Sequence, residues 1–396
     1  MKIIEDYLKK DLGKPNLANW EEIRESYLDR AARLVRRDYQ SPSYLASLRP
    51  QAGRREGKII GNINDYTRDQ HDLAFEYEKK FVKEYLPRVS LLPIEAYVTS
   101  SGMAALATVI MTLRRLHGTD QVVLLGKHSY FQNQEIIMSS FAKVVVFDET
   151  DESEWGKLIL EEKPRAIFVD SLCNESNMTM PPVAGIAKYL SQHAKEKTYL
   201  VIDNSLQATQ FDWRSTLKWR NRKLEIVGWE SLNKYYQFGL DRTTGGIVWA
   251  GNIMLSVKML QARRHAGTIM SDIAVAMLPT PNKKAMQKYL ERIWQNRERL
   301  LEKVGERGVG AGAQVVIKFA KKYNYEQIQK IIKRIIVKAK KDNVQIVAGT
   351  SFGFPSTRIY LTARQTEYAQ MFLRVSVGTE EKEEFEKISR AIISCL

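Results

Sequence analysis

Two short stretches decide the fold, VIDNS at residues 201–205 and WESLNK at residues 229–234. The first ends an apolar run at Asp203, where a carboxylate is costly to bury unless it has a partner. The second ends at Lys234, whose amine is a poor nucleophile unless burial or neighbouring charges lower its pKa. The two residues are 31 positions apart (234 − 203), the separation expected of one crossover between neighbouring strands. We therefore expect Asp203 and Lys234 to face one ligand at neighbouring strand ends.

Around these stretches, short β-branched runs alternate with amphipathic runs along the chain. This alternation predicts an α/β fold, with a mostly parallel sheet covered by helices on both faces. A long helical pattern over 283–304 then leads into a smaller α+β domain. We predict an N-terminal segment at 1–57, a large domain at 58–290 and a small C-terminal domain at 291–396. The predicted strands cover residues 96–99, 122–125, 144–147, 166–170, 200–203, 226–229, 314–319, 345–348, 358–361 and 372–377.

The composition argues against several classes of protein. The 396 residues include two cysteines and five scattered histidines, so we expect neither a disulfide framework nor a cysteine-based zinc site, and no catalytic metal. The formal net charge is +15, but the basic residues of 330–341 fall on the polar side of a helix with an isoleucine stripe, which is typical of a surface helix. No apolar run has the length of a membrane span, and the charged first residues lack the apolar core of a secretory signal. We expect a cytoplasmic protein that binds neither nucleic acid nor membrane.

Further motifs follow one another in a fixed order: YTR at 66–68, SSGMAA at 100–105, a tyrosine at 130, DSLCN at 170–174 and LRVSVG at 373–378. Together with VIDNS and WESLNK, this ordered set resembles the Cys/Met-metabolism branch of the fold-type I enzymes that depend on pyridoxal 5'-phosphate (PLP). That branch contains cystathionine gamma-synthases, cystathionine lyases, methionine gamma-lyases and O-acylhomoserine sulfhydrylases. The resemblance implies PLP as the cofactor and a PLP-dependent transferase-like large domain with a mostly parallel seven-stranded sheet.

The resemblance also implies a role for each matched residue. Lys234 would bond covalently to the cofactor aldehyde and carry protons, and Asp203 would accept the N–H of the cofactor ring. Tyr66 and Arg68 would reach the cofactor phosphate from the adjacent subunit, which implies a homo-oligomer, either a dimer or a dimer of dimers. Tyr66 would also help to lower the lysine pKa, and Tyr130 would assist the leaving group. The other positions divide by the group that they would contact: the phosphate (Ser101, Gly102, Met103, Ser231 and Asn233), the ring and its phenolic oxygen (Tyr130 and Asn174), and the α-carboxylate of the substrate (Arg374 and Thr350).

The substrate side departs from the family pattern more than the cofactor side. Pro355 stands where cystathionine-handling members usually carry a glutamate, and Phe131 follows the stacking tyrosine where methionine gamma-lyases usually carry a cysteine. We predict a PLP-dependent lyase or transferase that eliminates or replaces a substituent at Cβ or Cγ of a sulfur- or homoserine-derived L-amino acid, with a preference for the gamma position. Two alternatives stay open: a fold-type I aminotransferase or decarboxylase, and a degenerate, non-catalytic basic scaffold that binds nucleic acid.

Overall fold

The larger sheet contains seven strands, and Asp170 and Asp203 lie at the ends of two of them. The computed structural model describes residues 2–39, 72–87, 94–319, 323–362 and 372–396. The strands of this sheet are β1 (Glu95–Thr99), β2 (Val122–Gly126), β3 (Lys143–Phe147), β4 (Ala166–Asp170), β5 (Thr198–Asp203), β6 (Leu224–Ser231) and β7 (Gly246–Ala250). Their order is β1-β7-β6-β5-β4-β2-β3.

Neighbouring strands from β6 to β3 pair in parallel, whereas β7 pairs antiparallel with both β6 and β1. The predicted α/β fold with a mostly parallel seven-stranded sheet is therefore confirmed. The register aligns Asp170 with Asp203, and Asp203 with Trp229, so that β4, β5 and β6 end at the same edge. The sequence prediction missed β7, because β7 follows β6 through a loop without the crossover helix that marks the other strands.

Helices cover both faces of this sheet, because alternate strand residues face opposite sides. Val98, Leu124 and Ile167 belong to one apolar core, while Tyr97, Val123 and Leu125 belong to the other. The helices of this part of the chain are α1 (Lys2–Leu12), α2 (Trp20–Tyr39), α3 (Asp72–Tyr85), α4 (Gly102–His117), α5 (Phe131–Ser140), α6 (Glu152–Glu162), α7 (Val183–His193), α8 (Trp213–Leu217), α9 (Ile253–Ala266) and α10 (Asp272–Ala276).

A second, smaller sheet lies in the C-terminal part and supplies the predicted substrate-binding arginine. Its strands are β8 (Gly308–Ala311), β9 (Gln314–Ile317), β10 (Val347–Ala348), β11 (Arg358–Thr362) and β12 (Phe372–Ser376), in the order β10-β11-β12-β9-β8. The connecting helix α11 (Lys283–Val304) has the predicted bounds, and α12 (Tyr325–Lys341) and α13 (Lys382–Ile393) follow. In α12, Ile328, Ile331 and Ile335 are buried and Lys330 is exposed, as the pattern predicted.

The N-terminal helix α2 packs against the segment that ends helix α10. The Arg30 guanidinium in α2 donates hydrogen bonds to the carbonyls of Ala276, at 2.6 Å, and Leu278, at 2.7 Å. The predicted inter-subunit role of 1–57 stays a prediction, as do the three domain boundaries, and residues 40–57 lie outside the described ranges. Of the helices that the structure describes, none is both long and apolar enough to cross a bilayer.

Candidate active site

Lys234 begins a short 3-10 turn, Lys234–Gln237, three residues after β6. Its backbone φ of +67° lies in the left-handed region, which is uncommon for residues other than glycine and is often found at functional sites. Its Nζ lies 4.5 Å from the centre of the Phe352 ring. Burial lowers the pKa of Lys234, although the negative charge of Asp203 opposes this shift. The Lys234 amine is therefore closer to a neutral nucleophile than an exposed lysine would be.

Asp203 is a buried carboxylate, and both of its oxygens accept hydrogen bonds. Its Oδ1 accepts the backbone N–H of Ser205 at 2.9 Å, and its Oδ2 accepts the side-chain amide of Asn133 at 2.9 Å. Burial raises the pKa of Asp203, while these hydrogen bonds and the charge of Lys234 oppose the rise. The carboxylate is thereby fixed in orientation at the strand end next to Lys234, as a partner for a protonated ring nitrogen requires.

Asp170 ends the neighbouring strand and positions Tyr130. Its Oδ2 accepts the backbone N–H of Tyr130 at 2.9 Å, directly before the start of α5. Burial, and secondly the charge of Asp203, raise the pKa of Asp170 well above its usual range. The Tyr130 ring is half-buried, and its centre lies 4.8 Å from the centre of the exposed Phe131 ring. The predicted stacking tyrosine therefore lies at the same sheet edge as Asp203.

The predicted phosphate residues meet where α4 begins beside the end of β6. Ser101 caps α4, since its hydroxyl accepts the N–H of Ala104 at 3.0 Å. A Cβ added to Gly102 would lie 3.2 Å from the Ser231 Cβ, so a larger residue at this position would require Ser231 to shift. The carbonyl oxygen of the Asn233 side chain accepts the N–H of Gly245 at 2.9 Å, which leaves its NH₂ end to donate elsewhere. A helix N-terminus flanked by these donors suits a phosphate.

Arg374 lies on β12 and is buried. Its Nη1 donates to the side-chain oxygen of Asn174 at 2.8 Å, and its guanidinium carbon lies 4.3 Å from the centre of the Tyr360 ring. Burial lowers the pKa of Arg374 to about 10, so the guanidinium remains positively charged at neutral pH. Asn174 also anchors its own backbone, because its N–H donates to the carbonyl of His128 at 3.1 Å. The structure thus joins two predicted site residues that are 200 positions apart in the chain.

The structure also describes two further predicted site residues, Thr350 and Met103. Thr350 is exposed, and its carbonyl accepts a hydrogen bond from Arg358 at 3.2 Å. Met103 is partly buried in the first turn of α4. Tyr66 and Arg68, predicted to reach the phosphate from an adjacent subunit, lie outside the described residues. Their roles, like those of the other site residues, stay predictions.

Three residues of this site were missed in the sequence. Asn133 donates a hydrogen bond to Asp203, Phe352 lies against the Lys234 amine, and Asp241 lies close enough to Lys234 to raise the pKa of its amine. Asn133 could have been found, because it follows Tyr130 by three residues and so lies on the same side of the helix start. Phe352 and Asp241 carry no comparable signal, since both come to Lys234 through irregular backbone.

The residues that the structure brings together fit PLP. Lys234 and Asp203 would hold the ring from neighbouring strand ends, and the start of α4 with Ser231 would hold the phosphate. The Nε atom of Arg374 is buried without a hydrogen-bond partner in the described part of the chain. Buried donors are seldom left unpaired, and the carboxylate of a bound amino acid would satisfy this one.

Comparison with known proteins agrees with this geometry. The model of the family "Cys/Met metabolism PLP-dependent enzyme" matches residues 44–280, which is more than half of the chain. A curated relative, the bifunctional enzyme flvA of Aspergillus flavus, is 25% identical over 326 residues; these residues make up 74% of this chain and 38% of the relative. The chain therefore spans well under half of that protein.

Solved structures show the same fold. Cystathionine gamma synthase from Xanthomonas oryzae pv. oryzae, in complex with cystathionine, superposes with a TM-score of 0.67 at 14% identity, covering 85% of this chain and 89% of that one. A putative O-acetylhomoserine (thiol)-lyase from Campylobacter jejuni, which contains a pyridoxyl-lysine monophosphate, superposes with a TM-score of 0.64 at 14% identity, covering 88% and 92%. With the family model matched over more than half of its length, this chain belongs to the Cys/Met metabolism family of PLP-dependent enzymes.

Proposed function

We propose that this chain catalyses elimination or replacement at Cγ, or at Cβ, of a homoserine-derived or sulfur-containing L-amino acid. The proposal rests on the buried pair of Lys234 and Asp203 at neighbouring strand ends. Arg374 acts on the Lys234 amine as well, because the positive charge of Arg374 helps to lower the pKa of Lys234. PLP, when bound, supplies an electron-withdrawing ring that weakens the Cα–H bond of an attached amino acid. Residues of the chain would bind the substrate, orient the cofactor and transfer the protons.

Lys234 would remove and return the protons of the substrate carbon atoms. A lowered pKa makes the neutral amine available nearer to neutral pH, which is where a general base is most effective. Arg374 would bind the α-carboxylate through its planar fork, while Asn174 keeps the guanidinium in one orientation. Asp203, held by Asn133 and Ser205, would keep the ring nitrogen protonated.

The substrate's distal group is proposed to lack a positive charge. At the position of the family's glutamate, Pro355 packs its ring against Gly239, where an added Cβ would lie 2.1 Å from the Pro355 Cδ. Its carbonyl accepts the N–H of Thr379 at 2.8 Å. Pro355 offers no carboxylate to a distal ammonium group. This supports an O-acylated homoserine, rather than cystathionine, as the substrate.

The proposal is tested with purified protein incubated with PLP. We expect a yellow protein that releases ketoacid and ammonia, or exchanges the γ-substituent for a thiol, with O-acetylhomoserine or O-succinylhomoserine. Lys234→Ala should lose the covalent chromophore and turnover while its circular dichroism is unchanged. Lys258→Ala, in the exposed part of α9, is the matched control and should keep both. A Lys234→Ala protein that stayed yellow after dialysis and fully active would overturn the assignment.

We further propose that the enzyme is a cytoplasmic homo-oligomer, a dimer or a dimer of dimers, whose sites include Tyr66 and Arg68 of a neighbouring subunit. The support is the match of YTR at 66–68 to the family motif. Mixing inactive Arg68→Ala and Lys234→Ala chains should restore roughly a quarter of the wild-type activity, because half of randomly formed dimers hold one intact site of two. A mixture no more active than its separate components would show that Arg68 acts within its own chain.

A further inference from the structure

A mixed cluster of metal-binding side chains lies beside the active site, formed by His128, Glu149 and Cys173. One ligand atom from each of the three lies within 4.8 Å of the others. The His128 Nδ1 is 3.4 Å from the Glu149 Oε2, and the Cys173 Sγ is 3.5 Å from the Glu149 Oε1. The residues follow β2, β3 and β4, which are adjacent in the sheet, so three turns meet at this point.

The cluster is buried and incompletely satisfied. The Glu149 side chain is 0% exposed, and the His128 side chain is 18% exposed. Glu149 accepts the backbone N–H of His128 at 3.1 Å, but the His128 Nδ1 makes no hydrogen bond with any residue that the structure describes, although it is buried. The nearby ammonium of Lys127 is paired with Asp148. A fully buried carboxylate is costly unless its charge is compensated, and a bound metal ion would provide that compensation.

We propose that His128, Glu149 and Cys173 bind one divalent zinc ion. Zinc bonds of about 2.0–2.3 Å in a tetrahedral arrangement place ligand atoms roughly 3.3–3.8 Å apart. The separations from Glu149 to His128 and to Cys173 lie in this range, one at each carboxylate oxygen, and a small rotation of the carboxylate would present one oxygen to the ion. A thiolate, an imidazole and a carboxylate together favour zinc over magnesium or calcium, which prefer oxygen ligands alone.

The ion would be structural rather than catalytic, so the proposal departs from the expectation of no cysteine-based zinc site but keeps the expectation of no catalytic metal. His128 precedes Tyr130 by two residues, and Cys173 directly precedes Asn174. Zinc would therefore cross-link the two turns that carry the predicted ring-stacking tyrosine and the asparagine that bonds Arg374. On binding, the Cys173 thiol gives its proton to the solvent as the Zn–S bond forms, so zinc affinity should rise with pH. This inference does not depend on the proposed reaction.

Metal analysis of the purified protein tests it. After dialysis against a chelator and titration with zinc, wild type and Cys395→Ser should each bind one equivalent, while Cys173→Ser should bind at least tenfold more weakly. Cys395 is the matched control, because it is the chain's other cysteine and lies near the C-terminus. Zinc should also raise the thermal unfolding temperature of wild type and Cys395→Ser but not of Cys173→Ser.

Cobalt provides a direct view of the thiolate ligand. In Lys234→Ala protein freed of PLP, added cobalt(II) should give a thiolate-to-metal absorption band that disappears with Cys173→Ser. If Cys173→Ser does not fold, His128→Gln with a zinc-binding dye as competitor replaces it. Equal zinc binding by wild type and a cluster variant, or no stoichiometric binding by wild type, would overturn the proposal. Neither result would bear on the chromophore of Lys234, so the failure of one proposal is distinguishable from that of the other.

Discussion

Asn133→Ala is the sharpest test of how the chain controls its cofactor carboxylate. The Asn133 amide donates to the Asp203 Oδ2 at 2.9 Å, and both side chains are buried. Hydrogen bonds to charged groups contribute about 1.5–3 kcal/mol. Removal of this donor disfavours the charged form of Asp203, so its pKa, already raised by burial, should rise further.

The sign of the effect on activity follows from the charged state that is needed. Because Asp203 must be ionised to hold a protonated ring nitrogen, a higher pKa removes the active form at a higher pH. The acid limb of kcat/KM should therefore move to higher pH, and PLP affinity below that limb should fall, by at most the roughly 10- to 150-fold that corresponds to 1.5–3 kcal/mol. The basic limb should not move, since it reports other groups.

The assay combines a PLP titration, followed by visible absorbance, with pH profiles of turnover. Asn296→Ala is the matched control, because this buried asparagine donates to the carbonyls of Gly378 and Glu380 rather than to Asp203. It should lower the unfolding temperature without moving the acid limb. An Asn133→Ala enzyme with the wild-type acid limb and wild-type PLP affinity would refute the reasoning.

Three other changes separate phosphate binding, burial and substrate binding. Gly102→Ala should weaken PLP binding about tenfold but leave unphosphorylated pyridoxal unaffected, because the new Cβ would lie 3.2 Å from the Ser231 Cβ at the phosphate end; equal losses for both ligands would contradict this. Burial raises the pKa of Glu230 to about 8, so the protonated side chain contributes fully to the free energy of unfolding only below the pKa of the unfolded state. This contribution is lost as the pH rises towards 8. The unfolding temperature of Glu230→Gln, measured relative to that of wild type, should therefore increase as the pH is raised from 5 to 9. Parallel plots of unfolding temperature against pH for the two proteins would contradict this. Arg374→Lys should lower kcat/KM about 10- to 100-fold with the PLP absorbance intact, since lysine keeps the charge but loses the fork; an unchanged KM would argue against carboxylate binding.

The sequence predicted the fold well where its signals are local. Helix α11 has the predicted bounds because its apolar residues recur at helical spacing over 22 residues between an asparagine cap and Gly305. Strand β7 was missed because a short buried strand reached through a loop has neither alternation nor a preceding helix to mark it. The apolar run at 246–250 resembles any buried segment of that length.

The candidate site, like the fold, could be predicted from the sequence only in part. The proximity of Asp203 and Lys234 could be predicted, since both end strands of a parallel sheet and such ends meet at one edge. The bond between Asn174 and Arg374 could not be located by spacing, because it joins two sheets through residues 200 positions apart. The placement of Phe352 depends on the left-handed turn at Gly353, where an added Cβ would lie 2.8 Å from the backbone nitrogen of Tyr235. Sequence patterns do not register such approaches between irregular segments.

The pKa shifts of the site residues have a common cause, and this argues for function over stability. Burial raises the pKa values of Asp170 and Asp203 and lowers those of Lys234 and Arg374, so each group is pushed towards its neutral form. If the four were retained for stability alone, apolar residues of similar volume would serve as well or better, because buried ion pairs often contribute no net stability. Four such groups, contributed by both sheets to one site, are explained by a ligand that carries several charges, and PLP joined to an amino acid has a phosphate, a protonated ring nitrogen and a carboxylate. The cost of burying these groups is thus best understood as the cost of holding that ligand in one orientation.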